Sequence, residues 1–187
     1  MQFVPLLLSA ASLLGFATTP AVASIELPEW CHTGVCSIET LESKELLRSN
    51  SLGNLYLATF SRVEYPVESF RQTFVNHHGS ERVEESSQSY IFCSSLMPST
   101  LFVTDDKEYI LNRLVLTGNS PSSAMWHSHV HYLAACHNIA GPDYFSTNVA
   151  NLLIREGYNF GENFSGNDVQ MRVGNILEIM NPNTKGY

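Results

Sequence analysis

The chain has 187 residues, with 18 acidic against 10 basic side chains and a formal charge of −8. That balance argues against nucleic acid or an anionic membrane surface as a partner, since both need a basic face. Length and apolar content suit one domain with a sizeable core.

Residues 1–23 read as a cleavable secretory signal. A Leu-rich apolar run from Phe3 to Phe16 leads to Ala21-Val22-Ala23, an A-x-A site with the cut expected before Ser24. The n-region departs from the pattern in having no Lys or Arg. No later stretch approaches the ~20 apolar residues of a membrane span. Residues 24–187 are therefore expected to form a single secreted or periplasmic domain with no integral membrane segment. All four cysteines follow the cleavage site, and an oxidising compartment implies two disulfides. Cys31 and Cys36 are neighbours in a short loop, which leaves Cys93 for Cys136.

In chain order, Leu27–Cys36 reads as an irregular cross-linked arm. Ser37 is expected to cap a short helix through Ser49 carrying Ile38, Leu41, Leu46 and Leu47. Leu55–Glu64 is β-rich and stops at Pro66. Phe70–His77 alternates apolar and polar as a strand does, and His78-Gly79-Ser80 is a turn. Glu81–Ser89 is an exposed strand half or a loop leading into Tyr90–Cys93, and Thr100–Thr104 is a further short strand. Closely spaced strands of this kind predict an antiparallel meander.

Helices are expected next. Asp105 or Asp106 caps one that runs to about Leu116 and stops at Gly118. Ser122 or Ser123 caps a central helix ending near Gly141-Pro142. Asp143 caps another, ending at Gly157. Val169, Met171 and Val173 alternate as a strand, and Ile176, Leu177 and Met180 suggest a last helical turn. The predicted fold is a single α+β domain: a mainly antiparallel sheet of four to five strands, packed on about three helices and stapled by disulfides.

The central helix holds the most suggestive stretch, Met125–His137, with four of the seven histidines. On a helical wheel Trp126, Val130, Leu133 and His137 share a face, beside Cys136, with Ser128 and Ala135 opposite. A Cys93–Cys136 bridge would tie this helix to the strands and contribute on the order of 4 kcal/mol by closing a long loop. On a strand His127, His129 and His131 would all point one way. On a helix only His127 and His131 are neighbours, one turn apart, and His129 faces away. Two imidazoles anchor a transition metal only with a third ligand, which His77, His78 or an acidic side chain would have to supply. The simpler expectation makes them partly solvated flank residues and His137 a hydrogen-bonded core residue.

Other chemistry is thin. There is no H-E-x-x-H, no G-x-S-x-G and no phosphate-binding glycine loop. A nucleophilic Cys93 or Cys136 would need a free thiolate, and Cys31-x4-Cys36 departs from the C-x-x-C of redox enzymes. Asp105-Asp106 suits capping better than paired-carboxylate catalysis. Glu81, Glu84 and Glu85 form an acidic patch that reads as a solvated edge or a face for a basic partner. Asn163-Phe164-Ser165 is a formal glycosylation sequon. The sequence favours an exported, non-catalytic domain that binds another macromolecule, as an inhibitor or accessory protein, with no cofactor. The alternative is a Zn or Cu protein, binder or enzyme, using His127 and His131. A hydrolase built from scattered Ser, His and Asp is a third reading.

Overall fold

A computed structural model of the chain describes residues 24–116, 121–141, 144–158 and 168–184. The segment read as a signal, the Gly118 stop, the Asp143 cap and the Asn163 sequon lie outside the described residues. Within them, eight strands form one antiparallel sheet: β1 (Ile25–Glu26), β2 (Trp30–His32), β3 (Val35–Asn50), β4 (Gly53–Pro66), β5 (Val83–Cys93), β6 (Ser99–Val103), β7 (Tyr109–Arg113) and β8 (Val169–Val173). The order is β1-β3-β4-β5-β6-β7-β8, and β2 also pairs with β3. Three α-helices accompany it: α1 (Arg71–His78), α2 (Trp126–His137) and α3 (Thr147–Arg155). The class is α+β as expected, but the sheet is larger than four to five strands.

Its extra size comes mainly from a hairpin where a helix was expected. Ser37–Ser49 lies within β3, 16 residues long, paired along its length with the 14 residues of β4. The inward positions of β3 are Ser37, Glu39 and Leu41, so two of three are polar and the period-2 signature is hidden. At the tip, Asn50 Oδ1 accepts from the backbone N–H of Leu52 (2.8 Å) and Gly53 (3.1 Å). A Cβ on Gly53 would sit 2.2 Å from the Cys93 carbonyl oxygen, so only glycine lets β5 approach this corner.

Two further expectations fail. Phe70–His77 is not a strand but α1, preceded by a 3-10 turn at Glu68–Phe70. It closes on Gly79 in the left-handed conformation (φ 71°) and buries only Phe74. Asp105–Leu116 is not a helix. Asp105 and Asp106 lie exposed before the left-handed Lys107 (φ 62°), in a turn where Thr104 Oγ1 accepts from Glu108 N (3.1 Å), and β7 follows. Leu111 and Asn112 are both buried, on opposite faces of β7. With a polar Asn112 on one buried face, β7 lacks a strand's apolar alternation, while Ile110, Leu111, Leu114 and Val115 fall at helix-like spacing.

The two faces of the sheet carry separate cores. On one, Leu41, Ala58, Phe60 and Ile91 pack against Val130, Tyr132, Leu133, Ala134 and Ala135 of α2, with Val149 and Leu153 of α3 beyond them. On the other, Leu55, Phe92, Leu101, Leu111 and Val173 pack under a 3-10 turn at Ile176–Met180. The central helix is thus buried almost all round rather than on one face, Ala135 included. It starts after a 3-10 turn at Ser123–Met125, with no side-chain cap from Ser122. It ends at Asn138 (φ 53°), short of Gly141. α3 is capped by Ser146. Both expected disulfides are present, Cys31–Cys36 and Cys93–Cys136. The first crosses β2–β3 beside the Thr33-Gly34 turn, and the second joins β5 to the last turn of α2. Among the described residues no helix is long and apolar enough to cross a membrane.

Candidate metal site

His127 and His131 lie one helical turn apart on the face of α2 that crosses β3, as the i, i+4 spacing requires. Beneath them is Glu39, an inward residue of β3 placed by the same alternation that buries Leu41. Glu39 Oε2 lies 2.6 Å from His131 Nε2 and 3.3 Å from His127 Nδ1. One carboxylate oxygen therefore receives both imidazoles. The third group is the acidic side chain that the histidine pair needed, and His77 and His78 of α1 stay apart from it. Glu39 was missed because its stretch reads as a helix from sequence.

The surroundings fix these rings. His131 stacks on Phe60 of β4 with centroids 3.8 Å apart and planes 13° apart. His127 meets Trp126 edge-on at 5.0 Å and Trp30 of β2 at 6.1 Å. Arg62, opposite Glu39 in the β3–β4 ladder, brings Nε within 3.8 Å of Glu39 Oε1, and its other end pairs with Glu64 at 2.5 Å. Burial alone would raise the Glu39 pKa. The hydrogen bonds from His127 and His131, and their charges, outweigh it and hold the carboxyl well below its ordinary range. Glu39 is therefore an anion in a mostly buried setting, with a side-chain exposure of 8% against 33% for His127. Access is from the His127 side.

The donor set suits a metal. Two imidazole nitrogens and a carboxylate oxygen form a recurrent ligand set for Zn²⁺ at an open site, and imidazole equally suits Cu²⁺. Ligand atoms around a tetrahedral ion with bonds of ~2.0–2.1 Å are about 3.3 Å apart. The His127–Glu39 separation of 3.3 Å already matches, and the 2.6 Å His131–Glu39 hydrogen bond needs to open by less than 1 Å. All three ligand atoms lie within 4.8 Å of one another.

The remaining candidates separate. His129 turns away to Asp168, with Nε2 at 3.0 and 3.1 Å from its two oxygens. His137 is the hydrogen-bonded core residue expected, with Nε2 2.8 Å from the Tyr158 hydroxyl and Nδ1 2.7 Å from Glu156. His131 is buried rather than a solvated flank. Glu81, Glu84 and Glu85 are exposed, and the first two lie near Arg71 (3.8 Å) and Arg82 (3.4 Å). Glu29 also gathers with Cys31 and Cys36, but both sulfurs are in a disulfide and none of the four cysteines is free. Among the described residues no serine hydroxyl hydrogen-bonds an imidazole. No protein-family model, curated protein or solved structure matches the chain.

Proposed function

We propose that this is an exported protein that binds one transition-metal ion, Zn²⁺ or Cu²⁺, through Glu39, His127 and His131. The observation that carries the reading is the convergence of both imidazoles on a single ionised carboxylate oxygen, with all three ligand atoms within 4.8 Å of one another and the His127 contact already at tetrahedral spacing. Three protein ligands leave a fourth position for water or a small ligand, which is the layout of a reactive rather than a purely structural site. A metal ion takes the place of the His131–Glu39 hydrogen bond, and protons compete with it for the same ligand atoms.

Isothermal titration of the chelator-treated mature protein with Zn²⁺ and Cu²⁺ tests the proposal. The expected result is one ion per chain, with affinity reduced about 100-fold or more in His127→Ala/His131→Ala and in Glu39→Gln. Uptake that is absent, or indifferent to these substitutions, contradicts it.

A second reading is an inhibitory or accessory protein that binds another macromolecule. It is supported by the outer edge of β3 beyond Leu41, which pairs with β4 alone among the described strands and carries the exposed Leu46 and Leu47. Residue-specific protection of backbone amides 43–50 on adding a partner would distinguish it from metal binding.

A further inference from the structure

Among the described residues, the sheet face opposite α2 is only partly covered. Beside the 3-10 turn at Ile176–Met180 lies an open cleft of about 390 Å³ walled by Leu52, Leu96, Met97, Val169 and Met171, with Arg113 on its side. Leu96 and Val169 are exposed, at 70% and 48%. A cleft of this size falls within the ~300–1,000 Å³ range of small-molecule sites.

Arg113 is the unusual member. Its Nη1 donates to Ser99 Oγ (2.7 Å) and Ile179 O (2.6 Å), and its Nη2 to Asn181 O (2.8 Å) and Glu178 O (3.3 Å). Every one of these partners is neutral. Among the described residues no carboxylate pairs with it. The nearest acidic residue on the turn, Glu178, spends its Oε1 on Gly174 N and Asn175 Nδ2. The carbonyls lock the guanidinium plane in place, and Nε–H has no hydrogen-bond partner among the described residues. Burial pushes the pKa of Arg113 down, the sign of a cation whose charge is not neutralised.

We infer that this cleft binds a small amphiphilic carboxylate of the fatty-acid type, with its acyl chain along Leu52, Leu96, Met97 and Met171 and its headgroup at Arg113. The attraction combines burial of methylenes with a charge-assisted bond to a fixed guanidinium. It is independent of the metal site, which lies on the other face of the sheet.

The test is titration of the mature protein with decanoate and, separately, with decanol, following the methyl resonances of Met97 and Met171 by NMR. The expected result is saturable shifts at both methyls, with decanoate bound about tenfold or more tighter than decanol. Leu96→Asp, at an exposed position, should weaken decanoate by about tenfold, and Arg113→Gln should abolish the preference for decanoate over decanol. Absence of saturation, equal binding of the alcohol, or unchanged affinity in Leu96→Asp overturns the inference. The alcohol control and the Leu96 variant decide the matter even if Arg113→Gln fails to fold.

Discussion

Glu39 is the one carboxylate buried among the described residues, and His127 and His131 hold it ionised against the upward pull of burial. A second imidazole, His137, sits in a different network that suits stability rather than ligand binding. Nδ1 of the ring lies 2.7 Å from Glu156, and Nε2 lies 2.8 Å from the Tyr158 hydroxyl. Tyr158 in turn lies 2.6 Å from Tyr132, which reaches the Ser94 carbonyl at 3.0 Å. Burial lowers the His137 pKa below its ordinary value, Glu156 opposes this, and Lys44 adds to it. Burial also pushes Tyr158 up to about 12, so both phenols stay neutral. A histidine whose pKa is depressed on folding favours the folded state while neutral. Its contribution is present above the unfolded value of ~6.5 and is lost as pH falls through the window between that value and the lower folded one. Urea unfolding between pH 7.5 and 5 should therefore show a steeper loss of stability for the wild type than for His137→Gln. Parallel profiles would contradict this reading of His137.

At the scale of elements, the two disulfides should differ in what they contribute. By the chain-entropy argument, a loop of the Cys93–Cys136 length gives about 4 kcal/mol and one of the Cys31–Cys36 length about 2 kcal/mol. Replacing each pair by alanine should lower the unfolding free energy in that order, measured by urea titration. A larger loss from the hairpin pair would show that Cys93–Cys136 is not the main tether between the sheet and α2. This tether was legible in the sequence, because spacing left one partner for each cysteine once Cys31 and Cys36 were joined. So were α2, β4, β6, β8 and the final turn, where apolar periodicity and turn residues agree. β3 was not legible, because its inward face holds Ser37 and Glu39 instead of apolar side chains. The residue that completes the candidate site is the one that disguised the strand carrying it. β7 was obscured differently: with the polar Asn112 on one buried face, it lacks the apolar alternation that marks a strand.

Over the whole molecule, one antiparallel sheet separates two environments. The face under α2 is thickly covered and holds buried polar groups that pair with the helix: Glu39 with His127 and His131, and Asn112 with Ser128 at 2.7 Å. These groups survive there because they are paired, since an unpaired one costs several kcal/mol; among the described residues Thr100 Oγ1 and Arg62 Nε are the buried side-chain atoms left without a hydrogen bond. Among the described residues, the opposite face has a smaller core capped by a single 3-10 turn, which leaves the Arg113 cleft open. Of the histidine pattern, sequence alone supplied the pair at 127 and 131. It could not supply the carboxylate, 88 residues away from the first of them.

The most direct measurement of the central claim is a crystal structure of the protein loaded with Zn²⁺, with anomalous scattering collected at the zinc edge. The account predicts one strong peak about 2.0–2.2 Å from Glu39 Oε2, His127 Nδ1 and His131 Nε2, with the His131–Glu39 hydrogen bond broken. A site left without a peak, both imidazoles still bonded to Glu39, would contradict it.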